Sequence, residues 1–168
     1  MITQGAQANL NGKVFEEMMI PIFKSNGFEI FTESQVKKSK KIQKHLTKIN
    51  KYVIKNASYI TIYNEGGRTE FLIIYKERKI RVEAKYQASA GSVDEKYPYM
   101  LLNGIYKYPE NEVIFVVDGG GYKPGAIDWL KTQIDNNWLD YKQKGKDIKL
   151  MSIVEFVNWF NHEFSGRS

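Results

Sequence analysis

The chemistry of this chain is concentrated in a short run whose centre reads Glu83-Ala84-Lys85. Successive side chains of a β-strand point to opposite faces, so Glu83, Lys85 and Gln87 would line one face of a strand. A carboxylate there can bind a hard divalent cation, and an adjacent ammonium can stabilise negative charge on a phosphate under attack. An exposed strand face with a salt bridge would give the same short pattern, so the surroundings of the run must decide between these interpretations.

A second carboxylate precedes this run on a neighbouring predicted strand. Residues 59–63 and 68–75 alternate in polarity as strands do, and the segment between them has the Asn-Glu-Gly-Gly sequence of a turn. A second, charged turn then leads into the run described above. The segment therefore predicts a three-stranded antiparallel meander in which Glu70 lies across from Glu83. Two carboxylates and a lysine on adjacent strands form a minimal site for metal-dependent phosphodiester hydrolysis.

These motifs resemble those of the PD-(D/E)XK nuclease superfamily, whose members have a restriction-endonuclease-like fold. In that superfamily a helix with an acidic residue precedes a β-meander that carries a further acid and the (D/E)-x-K motif. A helix and another strand follow. Over residues 9–130, the matching side chains of this chain are Glu16, Glu70, Glu83 and Lys85. One departure is that the first acid of the meander, usually an aspartate after a proline, is here a glutamate after a threonine.

The resemblance implies a fold class and a role for each of these residues. The fold would be α/β, with a central mixed sheet that contains an antiparallel β-meander, flanked by helices in an αβββαβ core. Glu70 and Glu83 would bind Mg²⁺, with Mn²⁺ as a substitute, and Lys85 would be the catalytic lysine. Glu16 and Gln87 would be auxiliary catalytic residues.

Length and composition agree with a small enzyme of one domain. A chain of 168 residues can bury a sizeable core, so we expect a single nuclease-like domain over residues 1–168. The chain has no cysteine, which excludes disulfides and thiolate metal sites, and its two histidines lie far apart in the sequence. No apolar run approaches the ~18 residues of a membrane span, and the N-terminus lacks a signal-peptide pattern. We therefore expect a cytoplasmic protein that is neither secreted nor embedded in a membrane.

Positive charge is concentrated in the lysine-rich segment, residues 34–64. It contains eight lysines and no acidic residue, whereas the whole chain carries a net charge of +6. Such a block suits the phosphate backbone of DNA, although a solvated surface segment would have the same composition. Apolar Ile42, Leu46, Ile49 and Val53 recur at helical spacing, which predicts an amphipathic helix. The lysines predicted to bind nucleic acid, two of them from later in the chain, are Lys37, Lys38, Lys40, Lys41, Lys44, Lys48, Lys96 and Lys123.

The remaining elements complete the α/β pattern. A helix is predicted to begin at Asn9 or Asn11 and to end near Lys24, and a capping box at Ser92 predicts another helix as far as Tyr106. A later glycine run lacks the spacing of a phosphate-binding loop and predicts a sharp connection. The other predicted elements are a strand at 112–118, a helix at 126–141, a strand at 148–152 and a C-terminal helix from 153.

Together these features predict a metal-dependent DNA endonuclease of the restriction, homing or phage-recombination type. DNA is the expected partner, and because many such enzymes cut two strands as dimers, we also expect a homodimer. Two alternatives stay open. A structure-specific Holliday-junction resolvase would have the same site and would prefer a four-way junction to a duplex. A catalytically inactive nucleic-acid-binding domain would have the same fold and would bind DNA without cutting it.

Overall fold

The computed structural model describes the backbone of residues 4–165 and the side chains of residues 13–165. Its centre is a six-stranded sheet in which the strands lie in chain order. The strands are β1 (Glu29–Thr32), β2 (Lys51–Ile60), β3 (Gly66–Tyr75), β4 (Arg78–Tyr86), β5 (Glu112–Asp118) and β6 (Asp147–Met151). Strands β2, β3 and β4 are antiparallel neighbours, whereas β1 is parallel to β2 and both β5 and β6 run parallel to β4. This topology confirms the predicted mixed sheet with an antiparallel meander.

Helices cover both faces of this sheet. They are α1 (Gln4–Ser25), α2 (Glu33–Lys38), α3 (Lys40–Leu46), α4 (Tyr97–Tyr106), α5 (Pro124–Asp135) and α6 (Ile153–Phe164). Two short 3₁₀ helices lie at Asp94–Lys96 and Trp138–Asp140. None of the helices within residues 4–165 is both long enough and apolar enough to cross a membrane.

The alternation of side chains along the strands divides the apolar residues into two cores. Phe160 of α6 belongs to the core that contains Val82 and Ala84 of β4, and α1 packs on the same face. Leu101 of α4 belongs to the other core, together with Phe115 of β5. Because side chains alternate along β4, Glu83 and Lys85 point to the opposite face of the sheet, which α4 covers. The predicted Glu-x-Lys pair therefore lies under α4 rather than under α1.

The lysine-rich segment differs from its prediction. It forms the two short helices α2 and α3 and then strand β2, instead of one amphipathic helix. Ser39 ends α2 and also caps α3, because its hydroxyl accepts a hydrogen bond from the backbone N–H of Ile42. Val53 belongs to β2 and is fully buried. Val53 is apolar because it is buried in the sheet. Its helical spacing from other apolar residues wrongly indicated a helix.

Two predicted helix starts are also wrong. Helix α1 begins at Gln4 rather than at either predicted asparagine cap, and those two side chains lie outside the described residues. The capping box predicted at Ser92 is absent, because a 3₁₀ turn with no side-chain cap precedes α4. Asp94 instead accepts hydrogen bonds from the backbone N–H of Lys123, with both carboxylate oxygens at 3.2 Å.

Candidate active site

Strand β4 presents Glu83 and Lys85 side by side on the face that α4 covers. Nζ of Lys85 donates a hydrogen bond to Oε1 of Glu83 and another, of 3.1 Å, to the backbone carbonyl of Ala84. Glu83 is buried, with 7% of its surface exposed, whereas Lys85 is partly exposed. The structure thus forms the same-face pair, with 22% of the Lys85 side chain exposed.

Strand β3 adds the carboxylate of Glu70 to this pair. The backbone pairing of β3 with β4 extends only as far as Phe71 and Val82, and Glu70 is the residue of β3 immediately before Phe71. Oε2 of Glu70 accepts a hydrogen bond of 2.7 Å from the backbone N–H of Ala84, and its Oε1 lies 3.7 Å from Nζ of Lys85. Two carboxylates and one backbone carbonyl therefore direct oxygen atoms toward a single ammonium group.

The charges of Glu70, Glu83 and Lys85 do not balance when both carboxylates are ionised. Burial, and then repulsion from Glu83, raise the pKa of Glu70 to about 7, although Lys85 opposes this rise. Burial by itself would lower the pKa of Lys85, but the carboxylates of Glu83 and Glu70 outweigh it and raise that pKa. Lys85 is therefore charged at neutral pH. With both glutamates ionised, a second cation beside Lys85 would stabilise the site.

The donor chemistry fits a hard divalent cation. Among the residues with described side chains, no group of three or more acidic, histidine or cysteine residues could hold a metal ion. Mg²⁺ does not need so many protein ligands, since it commonly binds one or two carboxylates, keeps several waters and contacts substrate phosphates. Glu70 and Glu83 supply two carboxylates, and the carbonyl of Ala84 supplies a third oxygen on the same side. These residues therefore suit Mg²⁺ or Mn²⁺.

Tyr108 is a site residue that the sequence did not reveal. Its hydroxyl donates a hydrogen bond of 3.3 Å to Oε2 of Glu83. Burial and the nearby carboxylate of Glu83 raise the pKa of Tyr108 well above its ordinary value, so the hydroxyl keeps the proton that it donates. The chain has eleven tyrosines, and this one has no motif that would single it out.

Beneath Tyr108, a buried ion pair fixes the strands of the meander. The guanidinium of Arg81 donates to both carboxylate oxygens of Glu110, at 2.5 and 3.1 Å, and only 2% and 6% of these side chains are exposed. Arg81 also donates to the carbonyl of Ala57 on β2 and to the hydroxyl of Thr69 on β3, each at 3.1 Å. Its guanidinium lies 5.4 Å from the centre of the Tyr108 ring. The floor of the site is thus tied to three strands.

Gln87 lies just after β4, against the glycine run that follows β5. Its side-chain Nε2 donates to the carbonyl of Gly121 at 2.9 Å, and its backbone N–H donates to the carbonyl of Asp118 at 2.9 Å. A Cβ atom at Gly119 would lie only 2.4 Å from the backbone oxygen of Gln87, which explains the glycine there. Oε1 of Gln87 is buried and has no hydrogen-bond partner among the described residues. No described contact joins Gln87 to the acidic pair or to Lys85.

Glu16 is a predicted site residue that the structure does not bring to the acidic pair. Its carboxylate forms an ion pair of 2.6 Å with Nζ of Lys55 on β2. Its neighbours on α1, Phe15 and Met19, belong to the core on the face opposite to Glu83. No described contact joins Glu16 to the acidic pair.

A cleft of about 380 Å³ opens over Glu83 and Lys85. Arg68, Lys96 and Tyr99 are among its lining residues, so two further cations face the same space. A larger cleft, of about 540 Å³, lies between α5, β6 and α6 and contains none of the predicted site residues. We therefore identify the smaller cleft as the candidate active site.

The predicted nucleic-acid-binding lysines are all exposed but are distributed over several places. Lys37 and Lys38 line a second cleft of about 250 Å³, which shares Arg68 with the active-site cleft. Lys96 lines the active-site cleft itself. Lys123 follows the glycine run, and its backbone N–H donates to Asp94. The remaining four lie on α3 or after it, outside the lining of these clefts: Lys40, Lys41, Lys44 and Lys48.

Comparison with known protein families gives a match over nearly the whole chain. A family model described as a PD-(D/E)XK nuclease superfamily domain matches residues 7–164. This range includes every strand of the sheet and both carboxylates of the candidate site. No curated protein and no solved structure matches the chain significantly.

Proposed function

The chain belongs to the PD-(D/E)XK nuclease superfamily, and we propose that it is a metal-dependent DNA endonuclease of the restriction, homing or phage-recombination type. One observation carries the proposal: oxygens of Glu70, Glu83 and Ala84 converge on Nζ of Lys85 at the base of an open cleft. This arrangement combines ligands for a divalent cation with a permanent positive charge. Phosphodiester hydrolysis requires both, because negative charge develops on the phosphate under attack.

We assign the metal-binding role to Glu70 and Glu83, together with the carbonyl oxygen of Ala84. Mg²⁺ is the expected ion and Mn²⁺ its substitute, since both prefer oxygen ligands. When bound, the ion supplies positive charge to the scissile phosphate and lowers the pKa of a coordinated water. The excess of negative charge around Glu70 favours binding of such an ion.

Lys85 acts as an electrostatic catalyst in this proposal. The two carboxylates raise its pKa, so it remains an ammonium at neutral pH and is a poor general base. Its role is therefore to orient the attacking water and to stabilise the charge that accumulates on the phosphate oxygens. Gln87, two residues after Lys85 at the end of β4, is assigned an auxiliary role.

The basic side chains around the cleft support DNA as the substrate. Lys96 and Arg68 line the active-site cleft, and Arg68 connects it with the second cleft that Lys37 and Lys38 line. Lysines and arginines bind the phosphate backbone without reading its sequence, so these residues would give affinity rather than sequence recognition. We further propose that the enzyme works in the cytoplasm and, because cleavage of a duplex requires two cuts, as a homodimer.

The test is cleavage of supercoiled plasmid, linear duplex and a four-way junction, each with Mg²⁺, Mn²⁺ or EDTA. Lys85→Ala removes the catalytic ammonium, and Lys131→Ala is the matched control, because Lys131 lies on α5 and pairs with Asp135. We expect metal-dependent cleavage by the wild type and the control only. Preference for the junction would identify a resolvase. Binding to all three substrates without cleavage would contradict the proposal and identify an inactive DNA-binding domain.

A further inference from the structure

The turn between β2 and β3 presents an exposed aromatic ring beside the candidate active site. Tyr63 is 69% exposed, and its ring stacks on that of Tyr99 from α4, with centroids 5.2 Å apart and an interplanar angle of 23°. Tyr99 in turn lines the cleft that contains Glu83 and Lys85. One face of the Tyr63 ring is therefore covered by Tyr99, while much of the ring remains in water.

This turn is rigid although its tip is exposed. The backbone of Thr61 pairs with Glu65 at 2.8 Å and with Asn64 at 2.9 Å. The buried hydroxyl of Thr61 also accepts hydrogen bonds of 3.3 Å from the N–H groups of Tyr63 and Glu65. An aromatic side chain held in water by a fixed backbone loses little further conformational freedom when a ligand binds it.

A single buried residue fixes the two tyrosines relative to each other. Asn103 of α4 is fully buried, and its side-chain oxygen accepts the backbone N–H of Ile62 at 2.9 Å. Its side-chain nitrogen donates to the carbonyl of Tyr99 at 2.8 Å. The same amide thus joins the turn that carries Tyr63 to the turn of helix that carries Tyr99.

The surroundings of this pair favour a ligand that is both flat and anionic. Lys96 and Arg68 line the cleft next to Tyr99, and Lys107 donates a hydrogen bond of 3.2 Å to Asn64 in the same turn. Glu65 also lines the cleft, so these three cations outnumber the one acid of the turn. Positive charge beside an exposed aromatic face matches a nucleotide, whose phosphate is anionic and whose base is planar. An apolar peptide would match the ring but not these charges.

We propose that Tyr63, supported by Tyr99, is a stacking platform for an unpaired nucleobase next to the scissile phosphate. Inside a duplex both faces of each base are covered by neighbouring bases, so a base next to an internal scissile phosphate can lie on the ring only when it is unpaired. The preferred substrate is therefore DNA with unpaired nucleotides at the cleavage site, as in a single strand or a flap. This inference rests on the proposed nuclease function and adds a substrate class to it.

The test compares binding to a blunt duplex with binding to the same duplex extended by a single-stranded tail. The tail carries 2-aminopurine, whose fluorescence falls on stacking, and EDTA prevents cleavage. We expect the wild type to favour the tailed DNA and to quench the probe. Tyr63→Ala should lower the ratio of tailed to blunt affinity by about tenfold or more, because base–aromatic stacking is lost. Tyr63→Phe, which keeps the ring, should retain the ratio.

The control is Tyr106→Ala, because Tyr106 is also on α4 and 50% exposed but lies under Lys144, two helical turns from Tyr99. It should change neither the ratio nor the quenching. Equal quenching and an equal ratio in the wild type and Tyr63→Ala would overturn the stacking inference. If the wild type still cuts blunt duplex with Mg²⁺ in that case, the nuclease proposal stands without the platform. No binding and no cleavage of either DNA would overturn both.

Discussion

The carboxylate of Glu70 accepts the backbone N–H of Ala84 at 2.7 Å, just where strands β3 and β4 stop pairing. The side chain thus replaces a backbone acceptor and holds its other oxygen 3.7 Å from Nζ of Lys85. An aspartate is shorter by one carbon–carbon bond, about 1.5 Å, so the same backbone could not give both contacts. The glutamate that departs from the usual superfamily motif is therefore explained by the place where this meander ends.

The raised pKa of Glu70 predicts a pH dependence of stability in the metal-free protein. Its pKa is about 7 in the folded state and 4.5 in the unfolded state. Between these values the unfolded chain releases the proton while the folded protein keeps it, so stability falls as pH rises from 4.5 to about 7. Glu70→Gln lacks this carboxyl group and keeps an acceptor for Ala84.

We expect Glu70→Gln to be more stable than the wild type by about 1–3 kcal/mol above pH 7 and nearly equal to it at pH 4. Urea unfolding in EDTA across this pH range measures the difference. Identical pH profiles for the two proteins would show that Glu70 is not perturbed. Added Mg²⁺ should reverse the order at pH 8, since the ion stabilises only the protein that has both carboxylates.

Lys85→Met should abolish most cleavage. The methionine keeps a long apolar side chain but removes the charge that stabilises the phosphate, so we expect the cleavage rate to fall by about 10²–10³-fold. DNA affinity, measured in EDTA, should change much less, because Lys96 and Arg68 still line the cleft. Lys131→Met on α5 is the control. An equal loss of rate in both variants would argue for a general effect of charge.

Much of the site could be predicted from strand alternation alone. Glu83 and Lys85 share a face because they are two residues apart in a strand, and the turn sequence before β3 placed Glu70 beside them. Tyr108 could not be predicted, because its hydrogen bond to Glu83 joins residues 25 positions apart through the packing of α4. The hydrogen bond from the side chain of Gln87 to Gly121 could not be predicted either, since the glycine run belongs to a different connection between strands.

The fold was predictable to the level of its sheet but not of its short helices. The apolar run of β5 and the meander gave the mixed sheet, because buried strands require such runs. The break at Ser39 depends on one hydroxyl that caps α3, and this was concealed within a lysine-rich pattern of helical spacing. The helix ends at Leu46, whereas Val53 is buried in β2, a difference that the helical spacing of the apolar residues did not reveal.

Tyr108→Phe should weaken the site without disturbing its packing. The ring keeps its contacts with Arg81 and Tyr59, and the hydrogen bond to Glu83 is lost, at a cost in stability of about 1 kcal/mol. Residues that orient a metal ligand typically contribute about 10–100-fold to metal affinity or activity. We therefore expect half-maximal cleavage to require a higher Mg²⁺ concentration. Tyr141→Phe is the control, because its hydroxyl donates to Ile134 far from the cleft.

Glu110→Gln should be among the most destabilising conservative changes in this protein. It leaves the guanidinium of Arg81 buried without its counter-charge, which costs about 3–5 kcal/mol. Glu163→Gln provides the comparison, since it breaks the ion pair with Arg78 in a partly exposed position and should cost about 1 kcal/mol or less. Chemical unfolding of the two variants measures both values. Similar small losses would show that water reaches the Arg81 pair in solution.

The position of Arg68, which lines two clefts, predicts the path of a bound DNA backbone. Arg68 lines the active-site cleft and also the second cleft, together with Lys38 of α2. Each phosphate contact that is lost lowers the slope of log affinity against log salt concentration by about 0.9 for duplex DNA. Replacing both residues with glutamine should therefore reduce the slope by about 1.8 and weaken binding at low salt. The matched control replaces Lys142 and Lys144, which are exposed and lie near Tyr141 and Tyr106. It removes the same charge, so a similar loss of slope would mean that net charge, rather than a path through Arg68, determines DNA binding.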